Sequence, residues 1–316
     1  MTNVSTISWC KFGWETGFMS ESTAYDKAFG HGIRINSVAR KNNIEPVYST
    51  GSRNAQKLTE KKFEGALSIE FILANPWFFR AVLGAAPTTG GAGPYTHSWA
   101  ESDTVVSFSV ENDIQSDTAS VAQFLGCKVA TCTITAAVGE LVRVRLDCPY
   151  RTEEEGSSTS AQVNESFELF TFAQASLEFP NGSTITDIQN VEVTINNNPE
   201  YTWGLGSRFA QNGPVKNRQY SARISRTFED AATFLETFYG AATGPNATVA
   251  ETTTMELLFT NSLTGTNERL ISLLFTGVKI DEHNLPQDPT ALIIEDLPIV
   301  MRSLAISATN NTSAAP

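Results

Sequence analysis

The sequence is poor in what most enzyme chemistry needs. Among 316 residues there are only three histidines, His31, His97 and His283, and four cysteines, Cys10, Cys127, Cys132 and Cys148. No Cys-x-x-Cys pair occurs. Side chains alternate faces along a strand, so Cys127 and Cys132, an odd number of positions apart, point to opposite sides and cannot share one metal. That spacing argues against structural zinc; buried free thiols are expected, and neither a metal nor any other cofactor is. There is no Gly-x-Ser-x-Gly elbow, and three scattered histidines offer no general base. Gly204-Leu205-Gly206-Ser207-Arg208 opens like a dinucleotide loop, yet it lacks the third glycine and runs into strand-like sequence. Acidic clusters at Glu153 to Glu155, Asp281-Glu282 and Glu295-Asp296 lack calcium-loop spacing and read as solvated surface charge. These absences together predict a protein that is not an enzyme.

Long apolar runs are missing too. None approaches the roughly 20 residues that span a bilayer, and no membrane partner is expected. Residues 1–8 show neither a basic nor an apolar leader, which gives an expectation of synthesis in the cytoplasm. Lysine- and arginine-rich runs are equally absent: 22 basic against 34 acidic side chains leave a net charge of −12. A surface of that sign has no evident cationic track for a phosphate backbone or an anionic lipid.

What the chain does have is an echo of itself. Gly51-Ser52-Arg53-Asn54-Ala55-Gln56 returns 155 residues later as Gly206-Ser207-Arg208-Phe209-Ala210-Gln211. Upstream of each copy lies a Pro-x-Tyr, Pro46 to Tyr48 and Pro199 to Tyr201. Downstream of each come a strand-like run, a short helical run and a stopping glycine, Gly84 or Gly240. Later, Gly126-Cys127-Lys128-Val129 is answered by Gly277-Val278-Lys279-Ile280. Solenoid repeats are 20 to 50 residues long, so a period this large makes the repeating unit a whole domain.

Within the first copy, Leu67, Ile69, Phe71 and Leu73 alternate with Ala66, Ser68, Glu70 and Ile72, the period of a half-buried strand. Asn75 and Pro76 then predict the start of a helix that carries Trp77, Phe78, Ala81, Val82 and Leu83. In the second copy Tyr220, Ala222 and Ile224 alternate, and Thr227 with Asp230 predicts a capping box before Phe234, Leu235 and Phe238. Further strands are expected at 33–48, 105–110, 126–135, 141–146, 166–178, 191–201, 255–260, 270–280 and 292–306, with Gly139-Glu140 as a hairpin turn. The expected fold is mainly β: two tandem β-sandwich or barrel domains of one fold, each with one short flanking helix. The predicted division is 1–152 with an N-terminal arm, a polar linker or loop at 153–164, a second domain at 165–308, and a disordered tail at 309–316.

Interface candidates come from the parts that fit no core. Trp9 and Trp14 are expected on an arm that docks elsewhere. Thr88, Gly90 and Gly91 lie in an expected flexible loop at 85–95, and Glu153, Glu154 and Glu155 in the expected linker.

The order of these elements carries a resemblance. Gly65-Ala66-Leu67-Ser68-Ile69-Glu70, a helix ending Val82-Leu83-Gly84, a Gly/Thr loop running into Tyr95-Thr96-His97, and Ser107-Phe108-Ser109-Val110 together resemble the tail tube proteins of long-tailed bacteriophages. The likeness is best over 30–150 and looser in the second copy. It implies a structural virion protein that self-assembles into rings stacked as a hollow tube through which viral DNA passes without specific binding. Its implied partners are further copies of itself and other tail proteins such as tape measure, terminator and distal tail proteins; its implied location is the virion tail. Most members carry one such domain and form hexamers, so two fused copies imply a trimer with pseudo-sixfold symmetry. Two other readings stay open: a β-sandwich adhesin or carbohydrate-binding module, if exposed tryptophans form a platform, and an acidic β-sandwich glycosidase, if two carboxylates face each other across a groove.

Overall fold

The computed structural model describes residues 8–18, 20–22, 24–114, 120–156, 163, 165–180, 182–228, 232–241, 244–249, 252–285 and 292–313. Strands dominate. The first half contains β1 (Ser8–Trp14), β2 (His31–Lys41), β3 (Ile44–Val47), β4 (Lys57–Glu60) and β5 (Glu64–Ile72), then helix α1 (Phe79–Leu83). It continues with β6 (Thr88–Gly90), β7 (Tyr95–Trp99), β8 (Phe108–Ile114), β9 (Ser120–Cys127), β10 (Thr131–Ala137), β11 (Arg143–Tyr150) and β12 (Thr152–Glu155). The second half has β13 (Ala175–Glu178), β14 (Ile188–Asn196), β15 (Gln219–Thr227), helix α2 (Ala232–Tyr239), β16 (Thr252–Thr260), β17 (Leu270–Ile280), β18 (Ile294–Met301) and β19 (Ser303–Asn310).

All strand pairings are antiparallel. One sheet runs β1-β8-β9-β12, and a larger one runs β2-β5-β11-β10-β14-β15-β18-β17-β19-β7-β6, with β16 on β17 and β13 on β16. The join between the halves is β10 on β14, seven register pairs from Thr131 opposite Asn196 to Ala137 opposite Asn190. A second join runs from β19 to β7, with Ile306 opposite Trp99. Both halves therefore share a sheet and a continuous apolar core.

That core follows the alternation legible in the chain. Leu67, Ile69, Phe71 and Leu73 are all buried, as are Tyr220, Ala222 and Ile224. Each Leu, Ile or Phe among them withdrawn from water contributes about 1.5–3 kcal/mol before entropy is charged against it. Rings from different elements close the first half, Phe12 on Phe29 at 4.3 Å, Phe29 on Phe71 at 5.6 Å and Phe124 on Tyr150 at 5.1 Å.

The two halves repeat one another at the level of strand register. Lys41 faces Glu64 across β2 and β5, and Asn196 faces Gln219 across β14 and β15. Gly65 to Ile72 pair with Tyr150 to Arg143 as Tyr220 to Thr227 pair with Met301 to Ile294. Val110 opposite Phe124 matches Met255 opposite Phe275; Lys11 opposite Glu111 matches Glu178 opposite Glu256; Thr152 opposite Leu125 matches Ser303 opposite Thr276. The glycines match as well: Gly126 and Gly277 have φ of 69° and 64° near the ends of β9 and β17, a conformation that only glycine adopts cheaply. In both Gly-Ser-Arg turns the serine hydroxyl donates to the carbonyl two residues on and accepts from that residue's N–H.

Several local expectations are corrected. Asn75 caps the turn before α1, its Oδ1 accepting from the Trp77 N–H at 3.1 Å, and the helix itself starts only at Phe79. Thr227 is the last residue of β15, its N–H bonded to the Asp187 carbonyl, and so caps no helix; Asp230 lies outside the described residues. Strand β8 begins at Phe108 rather than 105, because its partner β1 ends at Trp14, opposite Phe108; Val105 is buried ahead of the ladder. The loop at 85–95 contains β6, which finds partners on β7. Residues 153–155 of the expected linker form β12, since their backbone completes the edge of β9. The expected tail starts inside β19, which runs to a buried Asn310; most of the linker, 157–162 and 164, and residues 314–316 lie outside the described residues. Around Trp9 and Trp14, the expected free arm is strand β1, paired along its length with β8.

Candidate functional site

The surfaces that stand out are two arms, a sheet face and two strand edges. The arms are the segments that carry the repeated turns. In the first, β3 and β4 form an isolated two-stranded ribbon on which Ile44, Val47, Tyr48 and Leu58 are 57%, 48%, 62% and 63% exposed. Burying none of four large apolar side chains on one ribbon costs solubility without adding to the core, which marks a contact surface.

The second arm, residues 198–218, is laid down on the first half. The Tyr201 hydroxyl donates to the carbonyls of Gly126 and, at 2.9 Å, Pro149. Lys128 Nζ donates to the Gly213 carbonyl at 2.6 Å and Arg151 Nε to the Ala210 carbonyl at 3.0 Å. Trp203 Nε1 donates to the Phe63 carbonyl, and Lys62 Nζ covers its ring at 4.4 Å. At the root of this arm, buried Asn197 donates to the carbonyls of Val82 and Val129 at 2.9 and 3.2 Å and accepts from Arg218 Nε at 2.7 Å. Burial pushes the Lys128 ammonium below its usual pKa and the Tyr201 hydroxyl well above.

The large sheet offers one polar face. Register places Arg34, Glu70, Arg145, Thr133, Thr194 and Ser221 on one rung across β2, β5, β11, β10, β14 and β15. The next rung carries Arg143, Thr135, Glu192 and Arg223, while Asp147 and Asp296 stand nearby. Its arginines are engaged by carboxylates: Arg34 and Arg143 with Glu70 at 2.7 and 3.2 Å, Arg145 with Asp147 at 3.0 Å, and Arg223 with Asp296. The hydrogen bond from Arg223 holds the Asp296 carboxyl below its ordinary pKa. For Glu70, burial pushes upward, but the bonds from Arg34 and Asn36 prevail and its pKa is lowered.

The interface candidates read from the sequence fall in separate places. Trp14 packs on the core with the Arg80 guanidinium 4.7 Å from its ring, and Trp9 is half-buried on the same strand. Thr88, Gly90 and Gly91 sit exposed at the β6–β7 hairpin. Glu153 is held by Arg40, while Glu154 and Glu155 are exposed on β12. Glu153 to Glu155 border an open cleft of about 520 Å3 with Arg40, Phe63 and Phe209. The structure thus groups the acidic residues with the two arms and leaves the tryptophans and the Gly-Thr loop elsewhere. The ribbon residues Ile44, Val47, Tyr48 and Leu58, and the buried Asn197, escaped sequence reasoning, although all flank the repeated motif. Trp77 and Trp99 are buried, so they offer no platform to a sugar. Among the described residues no cluster of three potential metal ligands occurs, and all four cysteines are free and buried, with burial pushing the Cys10 thiol up to about 12.

A family model described as phage tail tube protein matches residues 10–308, running through both halves. No curated protein matches the sequence. The chain belongs to the phage tail tube protein family.

Proposed function

We propose that this chain is the tube subunit of a phage tail and that three copies close into a ring of six equivalent units, stacked head to tail around a channel for DNA. The observation that carries the reading is the register-level repeat: five pairs of strands in the first half have counterparts in the second with the same residue-to-residue pairing outside their bulges. That supports two copies of one fold, near 1–152 and 165–308, within a single chain. A contact between unlike surfaces, repeated by rotation, closes into a ring, while stacking lets the tube lengthen. Mass measurement of isolated rings tests the count: three chains are expected, and six would overturn it.

The polar sheet face is the surface best suited to line the channel. It bears Arg34, Arg143, Arg145 and Arg223 against Glu70, Asp147, Glu192 and Asp296, so its charge is balanced although the chain is acidic. The −12 charge alone suggests a repulsive acidic lining; this face favours a different reason for free passage. Arginines already bound to carboxylates have no free charge to offer a phosphate, and the Thr, Ser and Asn rungs stay wetted. Purified tubes are expected to show no saturable binding of short duplexes at about 0.1 M salt, and salt-sensitive binding would overturn this. Growth by stacking falls to the exposed β6–β7 hairpin and the other tail proteins: deleting 88–93 is expected to leave a folded chain that forms rings but no long tubes.

A further inference from the structure

We propose that the contact between the two halves is repeated between chains: residues 281–285 of one copy pair with the free edge of β2 in the next, and the β3–β4 ribbon lies across that neighbour. This rests on the ring reading and adds to it the partner surface and its register.

The argument starts at β10. Its counterpart in the second half follows β17, and the described part keeps the same spacing against β18. Ala130 N–H donates to the Asp147 carbonyl and Asp281 N–H to the Pro298 carbonyl, both at 2.8 Å. Thr133 faces Arg145 as Asn284 faces Asp296. Within the chain, β10 has β14 on its other side. Among the described residues, 281–285 have no strand on that side, and β2, the counterpart of β14, ends the sheet with one edge unpaired. Two complementary halves of one junction are therefore present at opposite ends of the molecule. An open edge of this kind is stable in a soluble protein when another strand covers it.

Transferring the observed register fixes the partners. Thr131 opposite Asn196 becomes Glu282 opposite Lys41 of the partner subunit, and Thr133 opposite Thr194 becomes Asn284 opposite Ala39 of the partner subunit. The first of these brings the Glu282 carboxylate to the Lys41 ammonium, which within its own chain lies 3.8 Å from Glu64. The Asn197 N–H bonds to the Ala130 carbonyl, so by alternation both transferred pairs are non-hydrogen-bonded ones, whose side chains approach most closely.

The arms tell the same story. Arg151 Nε holds the Ala210 carbonyl of the second arm, and the Pro149 carbonyl receives Tyr201. The places of Arg151 and Pro149 are taken in the second half by Arg302 and Val300, the former bonded through its N–H to Thr276 as Arg151 is to Leu125. Val300 is 51% exposed. The arm that would lie on it is the ribbon of a neighbour, whose Ile44, Val47, Tyr48 and Leu58 are exposed for want of a partner. Val300 and the ribbon side chains are thus both left exposed within one chain, and a second copy supplies the cover for each.

The test is a disulfide across the transferred pair. The double variant Ala39→Cys with Asn284→Cys, assembled and mildly oxidised, is expected to give linked chains ending at a trimer on non-reducing gels, while each single variant gives none. Rings of normal mass without crosslinks would overturn this register and leave the ring reading standing; absence of rings from the unmodified protein would overturn both. A ladder ending at six chains would support the register and overturn the count of three. Because a cysteine variant can misfold, charge reversal provides a second measurement: Glu282→Lys or Lys41→Glu is expected to reduce ring yield several-fold at low salt, and the two together to restore it. Equal yields in all four proteins would overturn the pairing of Glu282 with Lys41.

Discussion

The two halves place different chemistry in the same frame, most sharply where β15 meets β18. Phe71 opposite Val144 is apolar and fully buried in the first half, as is Cys132, which stands opposite Leu146 two positions along β11. At the matching positions the second half has buried Arg226 and Glu295 and half-buried His283: Arg226 bonds to one carboxylate oxygen and His283 Nε2 lies 2.9 Å from the other. The Arg226 guanidinium also sits 4.4 Å from the Phe234 ring of α2. The same strand register therefore tolerates either a greasy contact or a charged one. What the fold specifies is the register; the chemistry filling it is free to differ, even to the point of burying the Arg226 Nη2 without a hydrogen-bond acceptor among the described residues.

That comparison makes the largest prediction. Glu295→Ala leaves a buried guanidinium without its counter-charge and is expected to cost about 3–5 kcal/mol. The triple change Arg226→Phe, Glu295→Val and His283→Cys, which installs the first half's residues, is expected to recover most of that loss, since apolar replacement of a buried ion pair is often neutral or better. Denaturant unfolding decides it. A triple variant as unstable as the single one would break the equivalence of the two sites.

Next in size is the contrast between Asn197 and Asn42. Asn197 is 1% exposed and bonded to three groups from both halves. Asn197→Ala strands buried carbonyls and is expected to destabilise the isolated chain by about 1–3 kcal/mol. Asn42 holds the same place before the first arm but is exposed, accepting from Arg208 at 2.8 Å. Asn42→Ala should change the stability of the single chain by no more than about 0.5 kcal/mol, yet lower the stability of assembled rings. Thermal unfolding of chains and rings separates the two, and equal effects on the single chain would dissolve the contrast.

Much of this frame was legible in the chain. Alternation of Leu67, Ile69 and Phe71 gave a core strand, and the returning Gly-Ser-Arg turn located both arms at corresponding points. Periodicity reports which face of a strand is buried, however, and carries no information about which strand lies beside it. The β10–β14 and β19–β7 joins, which put the halves into one sheet, were for that reason invisible. Edge strands were missed on different grounds: Glu153 to Glu155 look like a solvated linker because an edge strand needs only its backbone to pair. The assembly surfaces hid in plain composition, since nothing in the spacing of Ile44, Val47 and Leu58 sets them apart until the ribbon is seen to leave them exposed.

The smallest expected effect concerns two carboxylates, one in each half, whose surroundings act on them in opposite directions. Burial raises the pKa of Glu15 in the first half, outweighing the bonds it accepts from Ser109 Oγ and the Gly126 N–H, both at 2.7 Å. In the second half the bond from Arg223 lowers that of Asp296. The signs follow from linkage. Glu15 contributes stability that is present below its unfolded pKa, near 4.5, and is lost as pH rises through the higher folded value. Asp296 contributes stability that is present above its unfolded value, near 3.8, and is lost as pH falls through the lower folded one. Glu15→Gln, which mimics the neutral acid, should therefore gain on the unmodified chain as pH climbs above about 4.5, whereas Asp296→Asn should fall behind most at neutral pH and draw level in acid. Denaturant titrations from pH 3 to 7 supply the curves. If the Glu15→Gln difference stayed flat across that range, the buried carboxyl would be no more burdened folded than unfolded, and the asymmetry between the halves would be one of packing rather than of charge.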